Sequence, residues 1–206
     1  MRVIVEGNIG SGKTTLLASL AKEPWCAAVH PEPVHEWTDI LDQFYKDPAK
    51  WAPAFSLRVL ASHNRPAPPP STIEVVERSP LSCRHVFTRL LFNDGILPQH
   101  QWDLFREYYD VLGWEPTADD LILFVQTPVE LCLQRIAARG RACEESIDIQ
   151  YLRRLEFQYD NMLKYCASPV IRLDGQHAPP ALHAEACSAI LSAILRGSRK
   201  PTSSPE

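Results

Sequence analysis

Apolar positions along the chain change period repeatedly, and each change marks a new element. Arg2 to Glu6 is a short β-branched run that stops at glycine, and from Lys13 to Ala21 the residues Leu16, Leu17 and Leu20 fall at helical spacing. Cys26 to His30 reads as a second strand ending in Pro31-Glu32-Pro33, with helices expected over Glu36 to Tyr45 and Pro48 to His63. Pro66, Pro68, Pro69 and Pro70 make Asn64 to Ser71 a loop. A third strand, Ile73 to Val76, precedes helices over Leu81 to Phe92 and Gln101 to Leu112. Leu121 to Val125 is wholly apolar, as suits a strand covered by helices on both faces. Helices over Pro128 to Ala138 and Ile149 to Tyr165 flank the charged run Arg139 to Ser146. A last strand, Val170 to Leu173, leads through Asp174-Gly175 to a helix from Pro180 to about Leu195.

Strands alternating with helices in this way predict βαβ units and a three-layer α/β fold around a five-stranded parallel sheet. The expected organisation is one domain over residues 1–196, with a lid at about 139–148, and a polar, disordered tail over 197–206. A chain of 206 residues, 45% of them hydrophobic, supplies one buried core. Its net charge of −4 offers no basic field for a polynucleotide, which directs attention to small anionic ligands held by local clusters. The six cysteines are scattered, without a C-x-x-C pair or zinc-ligand spacing, and read as reduced thiols. The chain enters Val3-Ile4-Val5 after only two residues, which is expected to leave no room for a targeting peptide, and no apolar run reaches spanning length. A soluble, cytoplasmic protein with no membrane partner is therefore expected.

Gly7-Asn8-Ile9-Gly10-Ser11-Gly12-Lys13-Thr14 matches G-x-x-x-x-G-K followed by Ser or Thr, and it lies between an apolar strand and a helix, where the mechanism of that motif requires it. Glycines let successive backbone N–H groups turn inward toward phosphate oxygens, and the helix N-terminus adds its partial positive charge. Lys13 is expected on the β- and γ-phosphates, Thr14 on Mg²⁺, and the stretch from Gly7 through Thr15 around the triphosphate. The motif predicts a nucleoside triphosphate site without naming the acceptor.

Glu32 stands at the C-terminal end of the second strand, where a parallel sheet binds its ligand and a carboxylate can take a proton from an attacking hydroxyl. Ile73-Glu74-Val75-Val76-Glu77-Arg78-Ser79 is a second apolar strand ending in charge, which aims Glu77 at Mg²⁺ and Arg78 at the transferring phosphoryl group. Gln126-Thr127-Pro128 carries no aspartate after the fourth strand, so Glu77 must serve where a switch-type nucleotide hydrolase would use one.

With Glu32-Pro33-Val34-His35-Glu36-Trp37, Tyr45-Lys46-Asp47-Pro48-Ala49-Lys50-Trp51, Glu77-Arg78-Ser79 and the arginine run from Arg135 to Arg141, the chain from Val3 to about Asp174 resembles the deoxyribonucleoside kinase family. The resemblance implies a P-loop kinase fold with a short arginine-rich lid, ATP as donor, Mg²⁺, and phosphorylation of a deoxyribonucleoside 5′-hydroxyl. It also implies Glu32 as general base, Trp37 and Phe87 against the nucleobase, and Tyr45 and Glu144 on the sugar 3′-hydroxyl. Arg135, Arg139 and Arg141 become lid arginines, and a homodimer is implied through helices such as Leu81 to Phe92. Pro53 to His63 departs from the family in lacking a base-pairing glutamine and in being about one helical turn shorter. Small, uncharged Cys83 favours pyrimidines including thymidine, while Arg58 is the competing candidate for a pocket arginine of the deoxycytidine kinase branch. Two rival readings stay open: a nucleoside monophosphate kinase such as thymidylate kinase, and a non-catalytic nucleotide-binding module.

Overall fold

The computed structural model describes residues 1–69, 71–141 and 144–197. Five strands, β1 (Arg2–Glu6), β2 (Ala28–His30), β3 (Glu74–Glu77), β4 (Leu121–Gln126) and β5 (Val170–Asp174), form one parallel sheet in the order β2-β3-β1-β4-β5. The central pairings set Val3 beside Val75 and Leu121, and Val5 beside Glu77 and Leu123. All the strands therefore end on one edge, beside the loop that follows β1.

Strand alternation divides the core. Val3 and Val5 face α1 (Lys13–Leu20) and α9 (Pro179–Gly197), packing with Leu16, Leu17, Leu20, Leu182 and Ile190. Ile4, one residue out of phase, faces the other layer with Leu152, Leu155 and Tyr159 of α8 (Ile149–Lys164). A third apolar cluster joins α2 (Thr38–Lys46) and α3 (Pro48–His63) to α6 (Gln99–Leu112) through Leu41, Phe44, Leu60, Trp102 and Tyr109. Asp47 caps α3 by accepting from the Lys50 backbone N–H at 3.2 Å, and Pro48 follows at the first helical position, where its missing N–H costs nothing.

Element bounds agree with the sequence pattern to within about two residues, with one instructive departure. The helix expected over Leu81 to Phe92 is composite: α4 (Pro80–Ser82), a π-helical stretch over Cys83–Thr88, and α5 (Arg89–Asn93). A π stretch widens the turn and re-aims side chains, and such bulges gather at functional sites; hydropathy has no signature for it. The arginine-bearing helix is α7 (Val129–Arg139), ended by Gly140 in the left-handed conformation at φ 65°. Ala142 and Cys143 of the expected lid, and the expected tail beyond Gly197, lie outside the described residues. Cys26, Cys83, Cys132, Cys166 and Cys187 are free thiols. Among the described residues no helix is long and apolar enough to cross a membrane.

Candidate active site

The loop between β1 and α1 can close only with glycine at its bends. Gly10 has φ 76°, and a Cβ there would sit 2.5 Å from the Cys132 carbonyl oxygen of α7. Gly7 is similarly confined, since its Cβ would meet the Val125 carbonyl and the Ser11 hydroxyl at 2.8 Å each. Asn8 pins the loop from below: its amide donates to the Leu152 carbonyl at 2.8 Å, and its side-chain oxygen accepts from the Ile9 N–H at 2.9 Å.

Above the loop opens a cavity of about 730 Å³ lined from one end to the other by predicted site residues. Ile9, Gly10, Ser11, Gly12, Lys13, Thr14 and Thr15 form its floor, whereas Gly7 and Asn8 lie behind the wall and shape the loop. Lys13 is buried, and its ammonium donates to the Asn8 carbonyl at 2.8 Å. Burial, reinforced by the Arg78 charge, lowers its pKa to about 8. The Thr14 hydroxyl donates to the Glu77 carboxylate at 3.0 Å, so the two residues expected at the metal present hard oxygens side by side.

At the strand edge, Arg78 occupies the left-handed region at φ 63°, where its N–H still donates to the Val5 carbonyl at 3.0 Å. That conformation is costly for a residue with a Cβ, and strain of this kind gathers at functional positions. It turns the guanidinium back over the P-loop. The Arg78 Nε lies 2.9 Å from Glu32 Oε1, its Nη1 donates to the Gly7 carbonyl at 3.3 Å and to the Tyr159 hydroxyl, and its plane covers the Phe87 ring at 4.6 Å. Burial alone would raise the Glu32 pKa, but Arg78, with Lys13, outweighs it and holds the carboxyl below its ordinary range. Glu32 is thus ionised.

Two supports of this pair escape sequence reasoning. Glu6, fully buried beneath the loop, accepts from the Ser79 hydroxyl at 2.8 Å and from the Tyr159 hydroxyl at 3.3 Å. Burial raises its pKa against the pull of Arg78. Its sequence signal was an acid placed at the last position of a buried strand. His63, the last residue of α3, reaches within 3.9 Å of Glu32, and burial drops its pKa to about 4, which leaves it neutral at physiological pH. Nothing local marks it, because its position depends on how α3 crosses the cavity.

The far wall is aromatic and neutral. Trp37, Phe55 and Phe44 form a connected cluster, with Trp37 to Phe55 at 5.6 Å and Phe44 stacked on Phe55 at 4.7 Å. The Trp37 indole N–H is buried without a hydrogen-bond partner among the described residues. Ser56, Val59 and His63 of α3 face Cys83, Phe87 and Thr88 of the π stretch across the cavity. Burial pushes the Cys83 thiol up to about 12, so it stays neutral. Arg58 points elsewhere, being exposed and donating to the Glu36 carbonyl at 2.9 Å. It is not the pocket arginine, and the helix facing the cavity offers none in its place.

The arginine run is tied down at both of its ends. Arg135 donates to the Ser11 carbonyl and to the Gly175 carbonyl, each at 3.0 Å, which ties α7 to the P-loop and to the turn after β5. Arg139 and Arg141 converge on Glu144, with Arg139 Nε at 3.1 Å and Arg141 Nη1 at 3.3 Å. Glu144 and Tyr45 line the same cavity, but the Glu144 carboxylate is held by these two arginines.

The family model described as deoxynucleoside kinase matches residues 3–193. Human mitochondrial thymidine kinase 2 is 30% identical over 190 residues, covering 85% of this chain and 71% of its own. Chicken (Gallus gallus) deoxycytidine kinase 2 is 27% identical over 194 residues, covering 79% and 73%. A provisionally named kinase protein, 029R, of Invertebrate iridescent virus 3 is 32% identical over 170 residues, covering 80% and 83%. With a family match spanning nearly the whole described chain, and a P-loop, acidic strand end and arginine clamp around one cavity, the protein belongs to the deoxynucleoside kinase family.

Proposed function

We propose that this nucleoside kinase transfers the γ-phosphate of ATP directly to the 5′-hydroxyl of a pyrimidine deoxyribonucleoside, thymidine or deoxycytidine. The observation that carries the reading is the Glu32–Arg78 pair at 2.9 Å, its arginine buried and its carboxylate partly open, set in one cavity with Lys13 and the aromatic wall. In this reading Glu32 takes the proton of the 5′-hydroxyl, and Arg78 steadies the nucleophilic oxygen and the charge that gathers on the transferring group. Lys13 and the loop N–H groups hold the β- and γ-phosphates, and Arg135, Arg139 and Arg141 close over them. Thr14 and Glu77, whose oxygens lie 3.0 Å apart, suit a Mg²⁺ ion, which when bound neutralises phosphate charge.

The nucleoside end is proposed to hold the base between Phe87 and Trp37 and the sugar against Tyr45 and Glu144. Glu144 would then exchange part of its arginine pairing for the 3′-hydroxyl. Small, neutral Cys83 and the outward course of Arg58 support a pyrimidine site that accepts thymidine, because neither offers the charged pair of the deoxycytidine kinase branch. Ser56 and Thr88 are left as small hydroxyl partners for the base edge. A homodimer is proposed as well. The Leu81 to Phe92 segment buries its aliphatic side chains, so the supporting surface shifts to α6, where Leu104, Tyr108 and Val111 stand exposed on one stripe, and to Phe157 and Tyr165 near α8.

The test is ADP release from Mg-ATP with thymidine, deoxycytidine, deoxyadenosine, deoxyguanosine and thymidine monophosphate as separate acceptors. Turnover on a pyrimidine nucleoside is the expected result. Turnover restricted to purine nucleosides would refute the base assignment. Turnover confined to the monophosphate would transfer the site to the monophosphate-kinase reading, and silence throughout would leave a binding module.

A further inference from the structure

A second cluster of chemically active side chains lies at the opposite end of α1 from the P-loop. Glu23 sits in the turn after α1, its backbone fixed by Glu23 N–H to the Leu20 carbonyl at 3.1 Å and Cys26 N–H to the Glu23 carbonyl at 3.0 Å. His183 and Cys187 stand four residues apart on α9, hence on one helix face. That face packs against α1. The His183 Nε2 is 3.0 Å from Glu23 Oε1 and 3.3 Å from Cys187 Sγ, and the three ligand atoms lie within 4.8 Å of one another.

We propose that Glu23, His183 and Cys187 form a binding site for one Zn²⁺-class metal ion, which clamps the C-terminal helix to the end of α1. Ideal tetrahedral zinc bonds place imidazole nitrogen and carboxylate oxygen about 3.4 Å apart, and imidazole nitrogen and thiolate sulfur about 3.6 Å apart. The observed edges need to open by only a few tenths of an ångström, within reach of small side-chain rotations. One imidazole, one thiol and one carboxylate make a borderline-soft donor set that suits Zn²⁺ or Co²⁺, whereas Mg²⁺ requires oxygens and belongs with Thr14 and Glu77. Half-burial leaves the fourth coordination position to water. On binding, the Cys187 thiol proton passes to solvent as the sulfur–metal bond forms, and the ion replaces the direct His183–Glu23 contact. The Cys26 thiol is directed to the Ala28 carbonyl at 3.4 Å and is not among the ligand atoms. None of the three residues lines the catalytic cavity, so the ion stabilises the fold and takes no part in phosphoryl transfer.

The test is to strip the full-length protein of metal and titrate it with Co²⁺ alone. The expected result is a thiolate-to-cobalt absorption band that saturates at one equivalent and is displaced by Zn²⁺, and Zn²⁺ should raise the melting temperature by about 5 °C. Cys187→Ser should abolish the band, His183→Ala should weaken binding by at least about tenfold, and both should retain kinase turnover, which certifies their folding. Should either variant unfold, Glu23→Gln, a surface change of equal size, gives the same readout through weakened affinity. No stoichiometric thiolate band, or one that survives Cys187→Ser unchanged, would overturn the proposal and leave the cluster as a hydrogen-bonded triad.

Discussion

The two ends of the cavity are built on different principles. The phosphate end is a run of contiguous residues between β1 and α1, acting mostly through backbone N–H groups that glycine leaves free to turn inward. The proposed nucleoside end is assembled from side chains on α2, α3, the π stretch and the segment after α7, which are far apart in sequence. Between the two stands the Glu32–Arg78 pair, one residue from each of two neighbouring strand ends. Chemistry shared by every phosphate donor can be written into a short local motif. Recognition of one acceptor needs a surface that only packing creates.

The largest way to break this division is at the junction. Glu32→Gln keeps size and removes the proposed base, and turnover should fall by about 10²- to 10⁴-fold while ATP affinity stays within a few-fold. Single-turnover kinetics with separate ATP binding measurements decide it, and near-normal turnover would remove Glu32 as the base.

Next comes the backbone end. Gly10→Ala adds a Cβ that meets the Cys132 carbonyl at 2.5 Å in a left-handed conformation, and the strain is about 1 to 3 kcal/mol. ATP affinity should drop by about 5- to 150-fold, seen by calorimetry, with nucleoside binding little changed. Equal losses at both ends would show that the loop also organises the acceptor wall.

A gentler probe is pH. In the free protein burial brings Lys13 to about 8, and bound phosphate oxygens raise it again, so ATP binding takes up a proton above that pH. Affinity should be full below pH 8 and fall as pH climbs through it, by at most about tenfold per unit. Calorimetry in buffers of different ionisation enthalpy reads the proton directly. Flat affinity between pH 7 and about 9.5 would mean that Lys13 keeps its charge without ligand.

The smallest effect is expected from Arg58→Ala. Its guanidinium holds the Glu36 carbonyl on the exposed side of α3, so stability should change by less than about 0.5 kcal/mol and the ranking of nucleosides should not move. A changed ranking would show that the arginine reaches the base after all.

Read from the chain alone, the parallel sheet, the P-loop and the charged ends of β2 and β3 are all present, because each is fixed by nearby residues: apolar period, glycine at forced bends, charge at a strand terminus. Pro48 to His63 could be bounded as a helix for the same reason, through its apolar period. Which face that helix turns to the cavity could not be read, so Arg58 and Cys83 pointed to different bases until packing set Arg58 outside and brought Ser56, Val59 and His63 within. The π stretch at Cys83 to Thr88, the Glu6–Tyr159–Arg78 network and the hold of Arg139 and Arg141 on Glu144 were likewise beyond the sequence. Each depends on side chains that meet only after the helices settle on the sheet. Local backbone chemistry is carried by neighbours in the chain, whereas buried charge is balanced by neighbours in space.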